Sequence, residues 1–191
     1  MQPQIVLASV SPRRKELLEQ IQVRALVHPV NLDERPLPEE QALACVQRLA
    51  AEKSALCAAT IGKQLPILAA DTIVVLDGKI MGKPKDEADG VAMLKALSGR
   101  THRVYTAISL RGCQHWQALS SNEVTFRELN DTEIMAYWQT GEPLDKAGAY
   151  AIQGMGALFI ESIQGSFSGV MGLPLFETAE LLTKQGIRLL P

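Results

Sequence analysis

Asp71 and Thr72 stand in the middle of an otherwise apolar run, PILAADTIVVL at 66–76. A carboxylate there costs several kcal/mol unless a cation, a metal ion or hydrogen bonds compensate it. Asp71 is therefore the first candidate for chemistry, although an aspartate that merely satisfies backbone amides fits the same pattern. Near the N-terminus, IVLASVSPRRKELL at 5–18 runs from apolar residues through Ser9 and Ser11 into Pro12, Arg13 and Arg14. At such a strand-to-helix turn, outward backbone N–H groups and the helix dipole favour an anion. Arginine adds forked donors that match phosphate oxygens. An ordinary Ser-Pro helix start with solvated arginines remains open on these residues alone.

Four more side chains belong with these. In the segment before the Asp71 run, Ala42, Val46, Leu49 and Leu56 fall on one helical stripe at about 100° per residue, and Lys53 falls among them. An ammonium in an apolar stripe either snorkels to water or meets an anion. Lys83 precedes Pro84, which holds it extended. Glu34 lies in the polar loop NLDERPLPEE, and Gln153 sits between Ile152 and Gly154, where glycine permits close approach. Cations at Arg13, Arg14, Lys53 and Lys83 with acids at Asp71 and Glu34 suit polyphosphate chemistry. The cations meet the phosphate charge, hard carboxylate oxygens hold a divalent ion, and an aspartate prepares water.

Other chemistries lack their signatures. No G-x-x-x-x-G-K-[ST], G-x-S-x-G or H-E-x-x-H occurs, nor G-x-G-x-x-G after a strand. His28, His102 and His115 are isolated, and Cys45, Cys57 and Cys113 form no metal-spacing pattern, which reads as reduced thiols. A net charge of −2 gives no basic field for nucleic acid. The apolar run at 5–10 is too short to span a bilayer and precedes its arginines, the reverse of a signal peptide. The expectation is a cytoplasmic protein without membrane attachment.

These residues must be positioned by elements the pattern also suggests. Ile5–Ser9 reads as a buried strand, and a helix from Pro12 to about Gln20 follows, N-capped by Ser11. A short strand at Arg24–His28 and a long helix at Pro38–Ile61 precede the Asp71 strand. A turn at Asp77-Gly78 leads to a helix at Glu87–Leu97. Thr101–Arg111 and Gln117–Phe126 alternate as an antiparallel hairpin. Asn130 or Asp131 caps a helix to about Gln139, then come a strand at Ala157–Ile163 and a last helix from about Pro174. With 191 residues, 47% of them hydrophobic, this makes a single α/β domain over 1–191 with a mixed sheet.

At these same residues the chain resembles the Maf family of nucleoside triphosphate pyrophosphatases. The likeness is carried by LASVSPRRKELL, LDERP, RLAAEKS, AADTIVVLDGKIMGKPKD, LSGRTHRVYTAISL, GEPLDKAGAYAIQG and GSFSGVMGLPLFETAELL, spanning nearly the whole chain. The resemblance implies a Maf/inosine-triphosphatase-like fold, two lobes around a large mixed twisted sheet with a cleft between them. It implies cleavage of a nucleoside triphosphate to monophosphate and pyrophosphate with a divalent cation, Mg or Mn, in a cytoplasmic homodimer. Asp71 then looks like the proton acceptor and, with Glu34, a metal ligand; Ser9, Arg13, Arg14, Lys53 and Lys83 look like the phosphate-holding set.

The family's dTTP and UTP branch is marked by arginine, threonine and glutamine, here Arg13, Thr72 and Gln153. The 7-methyl-GTP branch tends to show tryptophan, glutamine and glutamate at those places. A carboxamide offers a donor and an acceptor to N3–H and O4 of a pyrimidine, whereas a cationic methylated guanine favours a carboxylate and an aromatic face. The expectation is a dTTP/UTP pyrophosphatase. The alternatives are a 7-methyl-GTP pyrophosphatase, or a nucleotide-binding regulator of septum formation with little catalysis.

Overall fold

The computed structural model describes residues 2–62 and 64–190. In chain order its elements are β1 (Ile5–Leu7), α1 (Pro12–Gln20), β2 (Ala25–Val27), α2 (Ala42–Ile61), β3 (Ile67–Leu76), β4 (Lys79–Met81) and α3 (Glu87–Leu97). They continue with β5 (Thr101–Arg111), β6 (His115–Phe126), α4 (Asp131–Gln139), β7 (Ile160–Gln164), α5 (Phe167–Met171) and α6 (Leu175–Lys184). The strands form one sheet in the order β2-β1-β3-β5-β6-β7, with β4 added on β3. β1 runs parallel to β2 and β3, and the remaining pairs are antiparallel. This is the mixed α/β sheet that the sequence pattern implied. Among the described residues no helix is long and apolar enough to cross a membrane.

β3 organises the interior. Side chains alternate across a strand, so Leu68, Ala70, Val74 and Leu76 share one face, and Ile67, Ala69, Ile73 and Val75 the other. On the first face Leu68 and Ala70 join one apolar cluster, while Val74 and Leu76 join a second. The opposite face, covered by α2, divides in the same way. Thr72 and Asp71 occupy the divide on each face, so the polar pair lies between two cores rather than inside one.

The sheet is also open at this point. β5 pairs along one edge of β3 from Ile67 to Val75. β1 and β4 therefore share the other edge. β1 reaches only Leu68, extended by a bond from the Ala8 N–H to the Leu68 carbonyl, and β4 begins at Val74. Among the described residues no strand pairs with the stretch between. Asp77 and Gly78, both with positive φ (50° and 76°), make the tight turn that returns β4 onto β3.

Several local expectations need correction. The Ser11 hydroxyl makes no capping bond; the Ser9 hydroxyl accepts the Ser11 N–H instead, at 3.1 Å. α2 starts at Ala42 rather than Pro38, because Glu39 takes a left-handed φ of 59° and the Glu40 carboxylate accepts the Leu37 N–H. Leu56 is exposed; the inward stripe of α2 runs through Val46, Ala50, Lys53 and Cys57. The apolar stretch from Ala157 turns as a 3-10 helix (Met155–Phe159) before β7 begins. Two N–H groups at its start are drawn to the Glu142 carboxylate, which bends the chain.

His102 gives the fold a pH dependence. It is buried, its Nε2 lies 2.8 Å from the Tyr150 hydroxyl, and Phe126 and Tyr150 meet its ring edge-on. Burial pushes its pKa down from 6.5 to about 4. Between these values the unfolded chain binds a proton that the folded protein does not, so stability falls as the pH drops from 6.5 toward about 4. The slope due to this group approaches about 1.4 kcal/mol per pH unit. His102→Gln is expected to flatten that part of the urea-denaturation pH profile. An unchanged profile would place the dependence elsewhere.

Candidate active site

The gap in the sheet opens into a cavity of about 570 Å³, within the usual range for a small-molecule site. Every candidate named from the sequence lines it: Ser9, Arg13, Arg14, Glu34, Lys53, Asp71, Thr72, Lys83 and Gln153. They come from the β1–α1 turn, the loop before α2, α2 itself, β3, the segment after β4 and the loop after the 3-10 turn at Ala147–Ala149. Val74, Val104, Tyr150, Ile152 and Val170 give the cavity an apolar part.

Arg14 is held by three hydrogen bonds from within the protein. Its Nε donates to the Gly172 carbonyl at 2.7 Å, Nη1 to Ser9 Oγ at 3.1 Å and Nη2 to Thr72 Oγ1 at 3.2 Å. Gly172 has a φ of 115°, and a Cβ there would press on Thr72 Oγ1. Thr72 Oγ1 is 2.9 Å from Thr106 Oγ1, which donates to the Gly169 carbonyl at 2.7 Å. Since Thr106 spends its only proton there, Thr72 donates to Thr106 and accepts from Arg14. Three bonds leave two of the five guanidinium N–H groups for an anion. Burial lowers the Arg14 pKa, opposed by the Asp71 charge, and arginine at this site keeps its positive charge.

Lys53 and Asp71 explain each other. Lys53 Nζ donates to Asp71 Oδ1 at 2.6 Å and to Glu34 Oε1 at 2.5 Å, and Lys83 Nζ donates to Glu34 Oε2 at 3.1 Å. Lys53 is 7% exposed and Asp71 6%, so both charges sit out of water with mutual compensation. Among the described residues no backbone N–H bonds to the Asp71 carboxylate, so an ammonium rather than the backbone holds it. Burial acts to raise the Glu34 pKa, but the Lys53 and Lys83 ammonium groups outweigh it and hold the carboxyl below its ordinary range.

Arg13 and Gln153 mark another part of the wall. Arg13 is partly desolvated, which lowers its pKa, with Glu16 and Glu142 opposing. Lys146 also lines the cavity, and its pKa is lowered by burial and by the nearby Arg13 charge. Lys146 lies between Asp145 and Ala149, both left-handed (φ 62° and 59°), and the Gly148 N–H ties this turn to the Gly82 carbonyl at 3.0 Å. Sequence reasoning singled out neither Lys146 nor Thr106. The signal for Thr106 was its register opposite Thr72; Lys146 belongs to an irregular loop that no periodicity marks.

Among the described residues no group of three or more His, Cys, Asp and Glu side chains converges to hold a metal ion. Asp71 and Glu34 offer two carboxylates. Mg²⁺ ordinarily keeps several waters and binds through one or two carboxylates plus substrate phosphates. The donor set therefore fits an ion that arrives with a phosphorylated ligand.

Fold and cavity together define a mixed α/β protein with a cavity lined by both cations and apolar side chains. A family model described as Maf-like protein matches residues 4–185, and the chain belongs to the Maf family. It is 54% identical to a dTTP/UTP pyrophosphatase from Methylococcus capsulatus, over 96% of this chain and 91% of that protein. It is 46% identical to a nucleoside triphosphate pyrophosphatase from Haemophilus ducreyi, over the full length of both. A crystal structure of a nucleoside-triphosphatase, a dITP/XTP pyrophosphatase from Mycobacterium abscessus, superposes with a TM-score of 0.46 at 15% identity, over 95% of this chain and 93% of that one.

Proposed function

We propose that this protein hydrolyses nucleoside triphosphates, dTTP and UTP above all, to the monophosphate and pyrophosphate. The observation that carries this reading is the meeting of Asp71 with Arg13, Arg14, Lys53 and Lys83 in one cavity. The names of the relatives at about half identity support the same substrate class.

Ser9, Arg14, Lys53 and Lys83 hold the triphosphate, with Arg14 pre-aimed by Gly172 and Thr72. Water attacks the α-phosphorus, a P–O bond forms, and the bond to the oxygen bridging the α and β phosphates breaks. Asp71 accepts the proton from water. The electron pair leaves with pyrophosphate, whose growing charge the cations stabilise without reorganising. Asp71 and Glu34 would hold a divalent cation, Mg²⁺ or Mn²⁺, which supplies further charge stabilisation at the phosphates. The apolar recess takes the base, and Gln153 reads its N3–H and O4 with Arg13 beside it. The working form is a cytoplasmic homodimer.

A panel of nucleoside triphosphates, 7-methyl-GTP included, with product identification tests this. The expected products from dTTP and UTP are monophosphate and pyrophosphate. Stepwise release of orthophosphate, or a preference for 7-methyl-GTP, would overturn the assignment. Gln153→Glu replaces the amide donor with an acceptor, so kcat/KM on dTTP should fall roughly 10- to 100-fold. Inhibition by pyrophosphate should stay near wild type. Equal loss of both would remove Gln153 from base reading.

A further inference from the structure

Gln153 lies on an irregular loop, and its aim depends on what fixes that loop. Glu142 follows α4 and is not itself part of the cavity wall. Its Oε2 accepts the Met155 N–H at 2.8 Å; its Oε1 accepts the Gly156 N–H at 3.0 Å and the Tyr137 hydroxyl at 2.8 Å. The Tyr137 oxygen in turn accepts the Ala151 N–H at 3.0 Å. The loop is thus gripped two residues before Gln153 and again two and three residues after it. One carboxylate and the phenol bonded to it make all of these contacts.

Gly154 is shaped to this carboxylate. A Cβ at that position would lie 2.1 Å from Glu142 Oε2 and 2.4 Å from Cδ. Those atoms are pinned by three hydrogen bonds and cannot simply swing away. Gly154 has a φ of −114° and a ψ of −148°, beyond the usual extended region of residues with a side chain, so the close approach adds to a backbone conformation that already suits glycine. The same carboxylate favours the charged forms of Arg13 and Lys146, two cations on the cavity wall.

We propose that Glu142 is a positioning residue for nucleotide selection: it clamps the 151–156 loop so that Gln153 faces the base, and Gly154 exists to admit it. This rests on the reading of the cavity given above. Misplacing a positioning group by about 1 Å can cost about 10²-fold, so the effect should be large and should fall on the base rather than on the phosphates.

The test compares Glu142→Ala, Gly154→Ala, the two combined, and Glu142→Gln, each checked for folding by its thermal midpoint. Glu142→Ala and Gly154→Ala should each raise the KM for dTTP about 10-fold or more, with kcat within about threefold and pyrophosphate inhibition unchanged. In the Glu142→Ala background the added methyl meets no carboxylate, so Gly154→Ala should then cost much less than it does in the wild type. Glu142→Gln keeps an oxygen for Tyr137 and Gly156 but turns an amino group toward the Met155 N–H, so it should recover only part of the loss. If Glu142→Ala fails to fold, Gly154→Ala and Glu142→Gln decide the matter by the same readouts. An unchanged KM, an equal loss of pyrophosphate inhibition, or fully multiplicative single effects would each overturn the clamp. A wild-type protein that leaves dTTP intact overturns the cavity reading and the clamp together; an active wild type with indifferent Glu142 variants overturns the clamp alone.

Discussion

Asp71→Asn is expected to lower kcat on dTTP by about 10³-fold, within the range for losing a positioned proton acceptor, while KM and the fold should stay close to wild type. Asparagine has the same size and still offers an oxygen to the Lys53 ammonium, which donates to Asp71 Oδ1 at 2.6 Å. Lys53 also keeps Glu34, so no buried cation is left alone. The phosphate-holding side chains are untouched, which is why substrate affinity should persist. Steady-state assays with product identification, beside thermal midpoints of both proteins, check the expectation. A purified Asp71→Asn enzyme with wild-type turnover would take the proton-acceptor role away from this carboxylate. A large loss of stability together with activity would show that the aspartate serves the fold first.

How much of this was legible in the sequence depends on whether a residue violates its local pattern. Asp71 in an apolar strand and Lys53 in an apolar stripe each carry a cost that demands a partner, and the structure answers both with one ion pair. The arginines at the β1–α1 turn and Gln153 beside Gly154 were marked by the local backbone they sit on. The opening in the sheet was not legible. It requires the three-residue β4 and the register that stops β1 at Leu68, and such short pairings leave no periodic trace. Thr106 was hidden because strand alternation paired β5 with β6 but did not reveal β3 along its other edge. Lys146 and Glu142 act from irregular loops, where tertiary hydrogen bonds alone decide direction. The strand expected at Ala157–Ile163 forms from Ile160 onward, whereas Ala157–Phe159 belongs to an equally apolar 3-10 turn whose first N–H groups bond to the distant Glu142 carboxylate.

Lys53→Met separates the electrostatic role of the cation from its packing. The thioether side chain keeps much of the volume and suits the apolar stripe of α2, but Asp71 then faces Glu34 with no ammonium between them. Removing one partner of a buried pair costs about 3–5 kcal/mol in general. Here the loss should lie near the lower end, about 3 kcal/mol, because the Arg14 charge still acts on Asp71 and Glu34 can turn to water. Asp71→Asn alone should cost much less, since its cation retains Glu34. Combining the two removes both charges, so Lys53→Met with Asp71→Asn should regain most of the lost stability. That recovery is a coupling which independent sites do not show. Urea denaturation without added divalent cation measures it, so that no metal ion takes the ammonium's place. Turnover should not recover in the same way: the double variant should be slower than Asp71→Asn, because Lys53 also holds the triphosphate and its charge is lost with it. Additive losses in stability would mean that the two side chains work apart, and that the carboxylate in β3 draws its tolerance from some other neighbour.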